Sequence, residues 1–384
     1  MNNLHINLNE FTNASRVLKQ TKSLVDSGVV DKVYIAALHK DDLCEDFDYN
    51  DKRVLKRFSL RTRNLNKNLL VQLIKYIEFC FLIYNYYKSK NINMVNIHVL
   101  GLLPLGVFLK YAFKAKLIYD THELETETNG SRGIRKKLSK WLEAKLIKHV
   151  DMTLVVSESI ADWYMNEYNI ERPTVVLNAP NKKTLKINNH FRQQLNIRDD
   201  QIILLYQGGL MVGRGVNLIL EAFKARTDDK IVIVFMGYGV LEKKIKDAAL
   251  IHRNIFFFPA VSPEVVLDYT SSADVGIHLI QNTCLNHKYC MPNKLFEYAM
   301  AGLPVLVSNM QDMAEMVVVN RMGAVINDFS EKGINIAIDN FLVQDLSVMK
   351  ENAYRIACSN SWEVQEQKML IAYQTMFERT IKAY

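Results

Sequence analysis

The stretch Ile202–Gly215, IILLYQGGLMVGRG, decides how the rest of the chain is read. Its apolar run Ile202–Tyr206 is short and bounded by glycine, the pattern of a strand covered on both faces. Glycines at 208, 209, 213 and 215 let the backbone approach a ligand, and Val216–Lys224 follows with helical periodicity. A helix N-terminus offers free N–H groups to an anion, and Arg214 adds a planar fork suited to two phosphate oxygens. The competing reading of this loop is a Gly-rich strand-to-helix turn with a surface arginine.

Strands of the same kind are predicted on both sides of it. Val33–Leu38, Met94–Val99, Lys116–Tyr119, Met152–Val156 and Thr174–Leu177 form one series, each pair separated by a helix-length segment. Ile202–Tyr206, Ile231–Met236, Ile255–Phe258, Val275–Leu279 and Val305–Val307 form a second. Alternating strands and helices argue for parallel sheets covered by helices on both faces. Two series imply an α/β chain of two doubly wound, Rossmann-like domains, in keeping with a length of 384 residues. The polar, Pro- and Asn-containing stretch Asn178–Asp200 places the boundary, giving domains over 1–185 and 186–361. A long amphipathic helix over 362–384 follows, and it is expected to return toward the first domain. Ligands of such sheets bind beyond the carboxyl ends of the strands, so the expected site is a cleft between the domains.

Composition narrows the class. A hydrophobic fraction of 49% and a charged fraction of 23% are those of a globular protein. Met1–Phe11 alternates apolar residues with Asn and His and lacks the pattern of a signal peptide. The window Val95–Phe113 is interrupted by Asn96, His98, Pro104 and Lys110, so it reads as a buried strand and helix; a cytoplasmic location is expected. Five cysteines without a CxxC pair predict reduced thiols, and Cys284, His287 and Cys290 lack the fourth ligand of a zinc site. The net charge of +7 is concentrated in segments 52–67 and 132–148. In the second, Leu138, Trp141, Leu142 and Leu146 interleave with the cations, which suits either an anionic membrane surface or a solvated helix whose apolar side packs inward. Nucleic acid is not expected, because aromatic stacking platforms are missing.

The densest chemistry lies in Met291–Pro304, MPNKLFEYAMAGLP. Pro292 and Asn293 enter a helix that Gly302 and Pro304 end. Lys294 occupies the first turn, and Glu297 falls one turn beyond Asn293. A helix N-terminus with Lys294 suits a diphosphate, and Glu297 can accept hydrogen bonds from both ribose hydroxyls. Met236–Gly239 follows its strand in the same manner as the first loop, and there a structural turn is the favoured reading.

These motifs, with Asn13–Leu18, Tyr119–Glu123 and Trp362, resemble the retaining glycosyltransferases of family 4 (glycosyl transferases group 1, GT-B fold) over essentially the whole chain. Pro292–Pro304 is similar to the second half of that family's Glu-x7-Glu signature. The resemblance implies that Glu297 binds the donor ribose, that Arg214 and Lys294 hold the diphosphate, and that backbone at Asn293 and Leu295 meets sugar or phosphate. Gly208, Gly209, Gly239 and Val261 complete the implied donor set. Two positions depart from the pattern. Tyr289 stands where the first Glu of the signature falls, and Leu210 stands where an early Arg of the phosphate loop is expected.

In the first domain, Asn9, Glu10, Thr12, Asn13 and Arg16 occupy the loop after the first strand, with Asn13 and Arg16 assigned to the acceptor side. The resemblance assigns His122 to the neighbourhood of the transferred sugar, and His122 and Glu123 form the expected catalytic pair. Asp46-Phe47-Asp48 matches a DxD metal motif, but it lies in a polar stretch with no strand before it, and no metal or other cofactor is expected. The implied activity is metal-independent transfer of a sugar from a nucleotide diphosphate donor to a lipid-linked or oligosaccharide acceptor in surface-polysaccharide, O-antigen or capsule assembly. A position on the inner face of the cell membrane follows from that acceptor. A nucleotide-sugar epimerase of the same fold and a non-catalytic nucleotide-sugar-binding subunit are the alternatives.

Overall fold

A computed structural model of the chain describes residues 1–12, 14–66 and 68–382, with side chains described through 378. The chain forms two compact units: Met1–Val176 with Glu366–Tyr384, and Leu177–Gln365.

The first unit opens with β1 (Asn2–Ile6), α1 (Ser15–Asp26) and β2 (Lys32–Leu38). A hairpin of β3 (Asp46–Asn50) and β4 (Arg53–Phe58) comes next, followed by α2 (Leu69–Tyr87) and β5 (Ile92–Ile97). The unit continues through α3 (Leu103–Phe113), β6 (Lys116–Asp120), α4 (Gly133–Leu146), β7 (Met152–Val155), α5 (Glu158–Tyr168) and β8 (Thr174–Val175). The sheet order is β3-β4-β2-β1-β5-β6-β7-β8, parallel throughout except for the antiparallel pair β3–β4. Asp46-Phe47-Asp48, read as a polar stretch with no strand before it, is itself edge strand β3; its alternating charges suit an unpaired edge, and Asp46 is taken by Lys56.

Chain direction distributes the helices. The connections carrying α2, α3, α4 and α5 all run the same way along the sheet, and right-handed crossovers put them on one face. The connection carrying α1 runs the other way, onto the opposite face. Adjacent residues of β6 report this split: the Tyr119 hydroxyl donates to Glu143 of α4 at 2.8 Å, while Asp120 pairs with Arg16 of α1 at 2.8 Å. Helix α2 was not anticipated from the sequence, because its apolar residues surround the whole helix and show little periodicity.

The second unit contains α6 (His190–Leu195), β9 (Ile202–Gly209), α7 (Val216–Ala225), β10 (Ile231–Tyr238), α8 (Glu242–Ala249), β11 (Ile255–Pro259) and α9 (Val266–Thr270). It continues with β12 (Val275–His278), α10 (Leu285–Lys288), α11 (Asn293–Met300), β13 (Val305–Ser308), α12 (Gln311–Val319), β14 (Gly323–Ile326), α13 (Glu331–Leu342) and α14 (Ser347–Ser359). Its sheet is wholly parallel, in the order β11-β10-β9-β12-β13-β14. Strand β9 is central, so its tip carries the loop Gly208–Gly215 to the place where the connections change direction. The final helix, α15 (Trp362–Lys382), begins in the second unit and belongs to the first from Glu366 onward. There Tyr373 is buried, and Asn96 donates to its hydroxyl at 2.5 Å.

Candidate functional site

In the second unit the site grows from the ends of β9 and β10. Gly208 and Gly237 face each other across these strands, and a Cβ on Gly237 would lie 1.9 Å from the Gly208 carbonyl oxygen. Gly215, at φ +81°, enters α7 so close to β12 that a Cβ would lie 2.1 Å from the Leu279 carbonyl oxygen. Only glycine fits either position.

Lys294 comes from the first turn of α11 and is buried, with Nζ 4.0 Å from the centre of the Tyr206 ring. A Cβ on Gly208 would meet that ammonium at 3.5 Å, so the loop and the lysine lie in contact range. The ammonium has no hydrogen-bond partner. Burial, reinforced by the charge of Arg214 and opposed by Glu297, pushes Lys294 down to about 7. His278, at the end of β12, is buried next to Tyr206, with ring centres 6.0 Å apart. Burial and then the charges of Lys294 and Arg214 hold His278 well below the usual imidazole range, so it is neutral, and its Nδ1 also has no partner. A buried ammonium without a hydrogen-bond partner, beside the glycine loop, suits an anionic ligand.

Glu297 is held by a second layer. Gln207 donates its side-chain N–H to Glu297 Oε2, and its amide oxygen accepts from the Thr270 hydroxyl at 2.7 Å. The backbone N–H of Gln207 donates to the Tyr298 hydroxyl oxygen at 2.9 Å. Gln207, Thr270, Tyr206 and His278 were not singled out in the sequence. Only the position of Gln207 inside Tyr206-Gln207-Gly208-Gly209 pointed toward them.

The remaining donor-side residues are spread around this centre. Arg214 and Asn293 are exposed, Gly209 and Val261 are half-buried, and Leu295 is buried with its N–H bonded to the Pro292 carbonyl at 3.0 Å. Gly239 adopts φ +147°, where a Cβ would lie 2.6 Å from the Leu210 carbonyl oxygen. Leu210 is fully buried, its N–H given to the Tyr238 carbonyl and its own carbonyl accepting from the Leu241 N–H, so it is a core residue. Tyr289 is half-buried beyond the end of α10, with Lys288 Nζ 5.5 Å from its ring centre.

The first unit holds a different cluster. Asp120, fully buried at the tip of β6, accepts from Arg16 through Nη2 at 2.8 Å and Nε at 3.2 Å, and from Gln20 at 2.9 Å. His98 Nδ1 and His122 Nε2 approach the same carboxylate at 3.2 and 3.0 Å. Burial opposes its ionisation, but Arg16, His122 and His98 hold the carboxyl well below the usual range. The chain continues inward: His98 Nε2 meets His5 Nδ1 at 3.1 Å, and His5 Nε2 meets Asn3 Nδ2 at 3.2 Å. Burial keeps both His5 and His98 below the normal range, so both are neutral. A single donation order then satisfies them, from Asn3 to His5 to His98 to Asp120. His122 is the partly exposed end of this chain, with its Nε2 3.0 Å from the Asp120 carboxylate.

Arg16 is therefore committed inside the unit, with its third contact to the Val176 carbonyl at 2.7 Å, rather than extended from a loop. Asn13 lies outside the described residues. Glu123 is exposed, and its carbonyl accepts from Thr121. Glu125, not anticipated, is pushed up to about 8 by burial. His98, Asp120 and His122 offer ligand atoms within 4.8 Å of one another. Arg16 and Gln20 already occupy that carboxylate, and a cation there would face the guanidinium, so the geometry is that of a hydrogen-bonded network.

The two parallel-sheet, Rossmann-like units define an α/β chain of GT-B architecture. The stretch 188–356 matches the family described as Glycosyl transferases group 1. Among curated relatives, the lipopolysaccharide 1,2-N-acetylglucosaminetransferase of Salmonella typhimurium is 29% identical over 178 residues. That match covers 43% of this chain and 45% of the relative, so the chain spans less than half the length of the curated enzyme it matches. Among solved structures, sucrose-phosphate synthase from Thermosynechococcus elongatus superposes with a TM-score of 0.81 at 14% identity, covering 99% of this chain and 100% of that one. WaaG, a glycosyltransferase involved in lipopolysaccharide biosynthesis, gives 0.69 at 17%, covering 96% and 98%. Anabaena HepE, solved in complex with UDP, gives 0.72 at 13%, covering 98% and 100%. The superposed structures share the fold of this chain.

Proposed function

We propose that the chain transfers a sugar, with retention at the anomeric carbon, from a nucleotide diphosphate sugar to a lipid-linked saccharide during assembly of a surface polysaccharide. The observation that carries this reading is Lys294. A buried ammonium without a hydrogen-bond partner, at the first turn of α11 and against the glycine loop, is poised for a diphosphate. Glu297, fixed by Gln207, stands one turn away to accept the ribose hydroxyls. Arg214 supplies a second, exposed cation. The neighbour solved with UDP and the sugar-transferring curated relative support the same donor class.

In the reaction the bond between the anomeric carbon and the diphosphate oxygen breaks, and a bond to the acceptor hydroxyl forms on the same face of the sugar. The acceptor's proton passes to the departing diphosphate. Lys294 and Arg214 offset the charge that develops there. The family resemblance assigns His122, whose Nε2 faces Asp120, a role toward the transferred sugar. Tyr289 stands where the family carries a carboxylate that contacts the donor sugar. We place the enzyme in the cytoplasm, at the inner face of the membrane, where a lipid-linked acceptor is presented.

The test supplies a nucleotide sugar and a lipid-linked acceptor and follows nucleoside diphosphate release. Release that requires acceptor, and that falls at least about tenfold in Arg214→Ala and in Glu297→Ala, is expected. Transfer unchanged in both variants would overturn the assignment.

A further inference from the structure

The largest feature that donor chemistry does not explain is the outer face of the first unit. Helix α2 is long and apolar enough to cross a bilayer, yet only 11% of that apolar window is buried. A core helix of this composition would be covered. Instead Leu69 is 89% exposed, Leu70 74%, Ile77 57% and Phe81 64%. The buried residues Phe79, Ile83 and Tyr87 anchor the C-terminal half against the sheet, where Phe58 packs edge-on against Phe79 and Tyr87. Both ends of α2 return to strands of one sheet, β4 and β5, so the helix lies along the surface rather than spanning anything.

Helix α4, on the same face, is turned inside out. Ile134, Leu138 and Trp141, spaced as one helical stripe, are 86%, 61% and 58% exposed. Its inward side carries a fully buried carboxylate beside half-buried Leu142 and Leu146: Glu143 accepts from the hydroxyls of Tyr119, Tyr164 and Tyr168 at 2.8, 2.9 and 2.7 Å. Lys136 and Lys140 are tied to Glu127. The orientation is thus fixed by specific bonds, and the apolar stripe points outward because of them. Of the apolar residues read from the sequence of this helix, Leu138 and Trp141 face outward while Leu142 and Leu146 are half-buried. Between the two helices, Phe108 and Tyr111 of α3 are also exposed, and Tyr84 of α2 packs against Phe108 with ring centres 5.4 Å apart. Arg135, Lys137, Lys145 and Lys148 of this region, with Arg61 and Arg63 before α2, are exposed around the apolar surface. Of the basic segment 52–67, by contrast, Arg57 is buried and Lys56 is paired with Glu45 and Asp46, so the free cations are fewer than the sequence suggested.

We infer that this face docks on an anionic lipid bilayer, with the outer sides of α2 and α4 seated at interfacial depth and the surrounding arginines and lysines among the headgroups. An exposed apolar surface rimmed by cations is the pattern of an interfacial helix. A second copy of the chain fits the face less well, because a two-fold contact would bring identical cations together. The inference deepens the lipid-linked acceptor reading and rests on it only for its purpose; donor binding belongs to the other unit.

The experiment measures binding of the full chain to vesicles of phosphatidylcholine alone and with about a third phosphatidylglycerol, by sedimentation and by Trp141 quenching with brominated lipid. Binding to the anionic vesicles is expected, weakened by Arg135→Glu/Lys137→Glu and only partly reversed by salt that screens the cations. Leu70→Ser/Ile77→Ser is expected to weaken it by at least about tenfold while leaving nucleotide-induced thermal stabilisation unchanged. Quenching is expected to disappear in Trp141→Phe. Absent binding to either vesicle, or binding untouched by the serine substitutions, overturns the inference. So does a wild-type dimer that the serine substitutions convert to a monomer without any vesicle binding. Because nucleotide stabilisation is read separately, failure of docking is distinguishable from failure of the donor site.

Discussion

The ammonium of Lys294 sits 4.0 Å from the centre of the Tyr206 ring and has no hydrogen-bond partner. Burial first, and Arg214 second, push it down to about 7. A bound diphosphate supplies the missing anionic partner and raises that value again. Binding therefore takes up a proton. Proton uptake is expected to grow, and affinity to fall, as the pH is raised above neutrality. Calorimetry in buffers of different ionisation heat reads this directly, and Lys294→Met is expected to abolish the uptake.

Gln207 holds Glu297 from one side and Thr270 from the other. Glu297→Ala is expected to weaken binding of a ribonucleoside diphosphate by roughly tenfold or more, since charged hydrogen bonds contribute about 1.5–3 kcal/mol. Binding of the 2′,3′-dideoxy analogue is expected to be indifferent to the same change. Equal loss for both nucleotides contradicts the ribose assignment. Gln207→Ala is expected to give a smaller loss in the same direction.

Asp120 and Arg16 form a buried ion pair. Asp120→Asn leaves the guanidinium without its charge partner and is expected to cost about 3–5 kcal/mol at neutral pH. The carboxyl is held well below its usual range, so its stabilisation is complete above the unfolded value and lost as pH falls through the folded one. The gap between wild type and variant, followed by urea unfolding, is thus expected to be constant above about pH 5 and to shrink below about pH 4.

Glu143→Leu removes the shared acceptor of three tyrosine hydroxyls. Each hydroxyl left unmet in the interior costs about 1–3 kcal/mol, so a loss of several kcal/mol is expected in denaturant melts. Glu143→Gln, which keeps an acceptor oxygen and removes the buried charge, is expected to recover most of it. Recovery is checked by whether the denaturation midpoint returns toward wild type.

Much of this was legible in the sequence, and the reasons are specific. Each predicted strand coincides with or overlaps an observed one, because parallel strands buried on both faces are continuous apolar runs, as Ile202–Tyr206 shows within β9. The hairpin strand Asp46–Asn50 was not legible, since an edge strand with charged residues has no such run. At the donor site, Lys294 and Glu297 could be found from their places in α11. The burial of Lys294 under Tyr206 and the hold of Gln207 on Glu297 required the register of β9 against its neighbours. In the first unit, the alternation of Asn3, His5, Asn96 and His98 was visible. Their convergence on Asp120 was not, because Arg16 lies 104 residues from it in the chain. The stripe of α4 was also visible, but its direction depends on Tyr119, Tyr164 and Tyr168, which come from two other elements.

The central claim is that α11 and the glycine loop hold a nucleoside diphosphate. It is tested most directly by thermal unfolding of wild type, Lys294→Ala and Glu297→Ala across a panel of nucleoside diphosphates and their sugars. At a concentration of ~100 Kd, one donor family is expected to stabilise the wild type by about 2.7 kcal/mol, with most of that shift lost in each variant. No stabilisation by any nucleotide, or stabilisation of both variants equal to that of wild type, would contradict it.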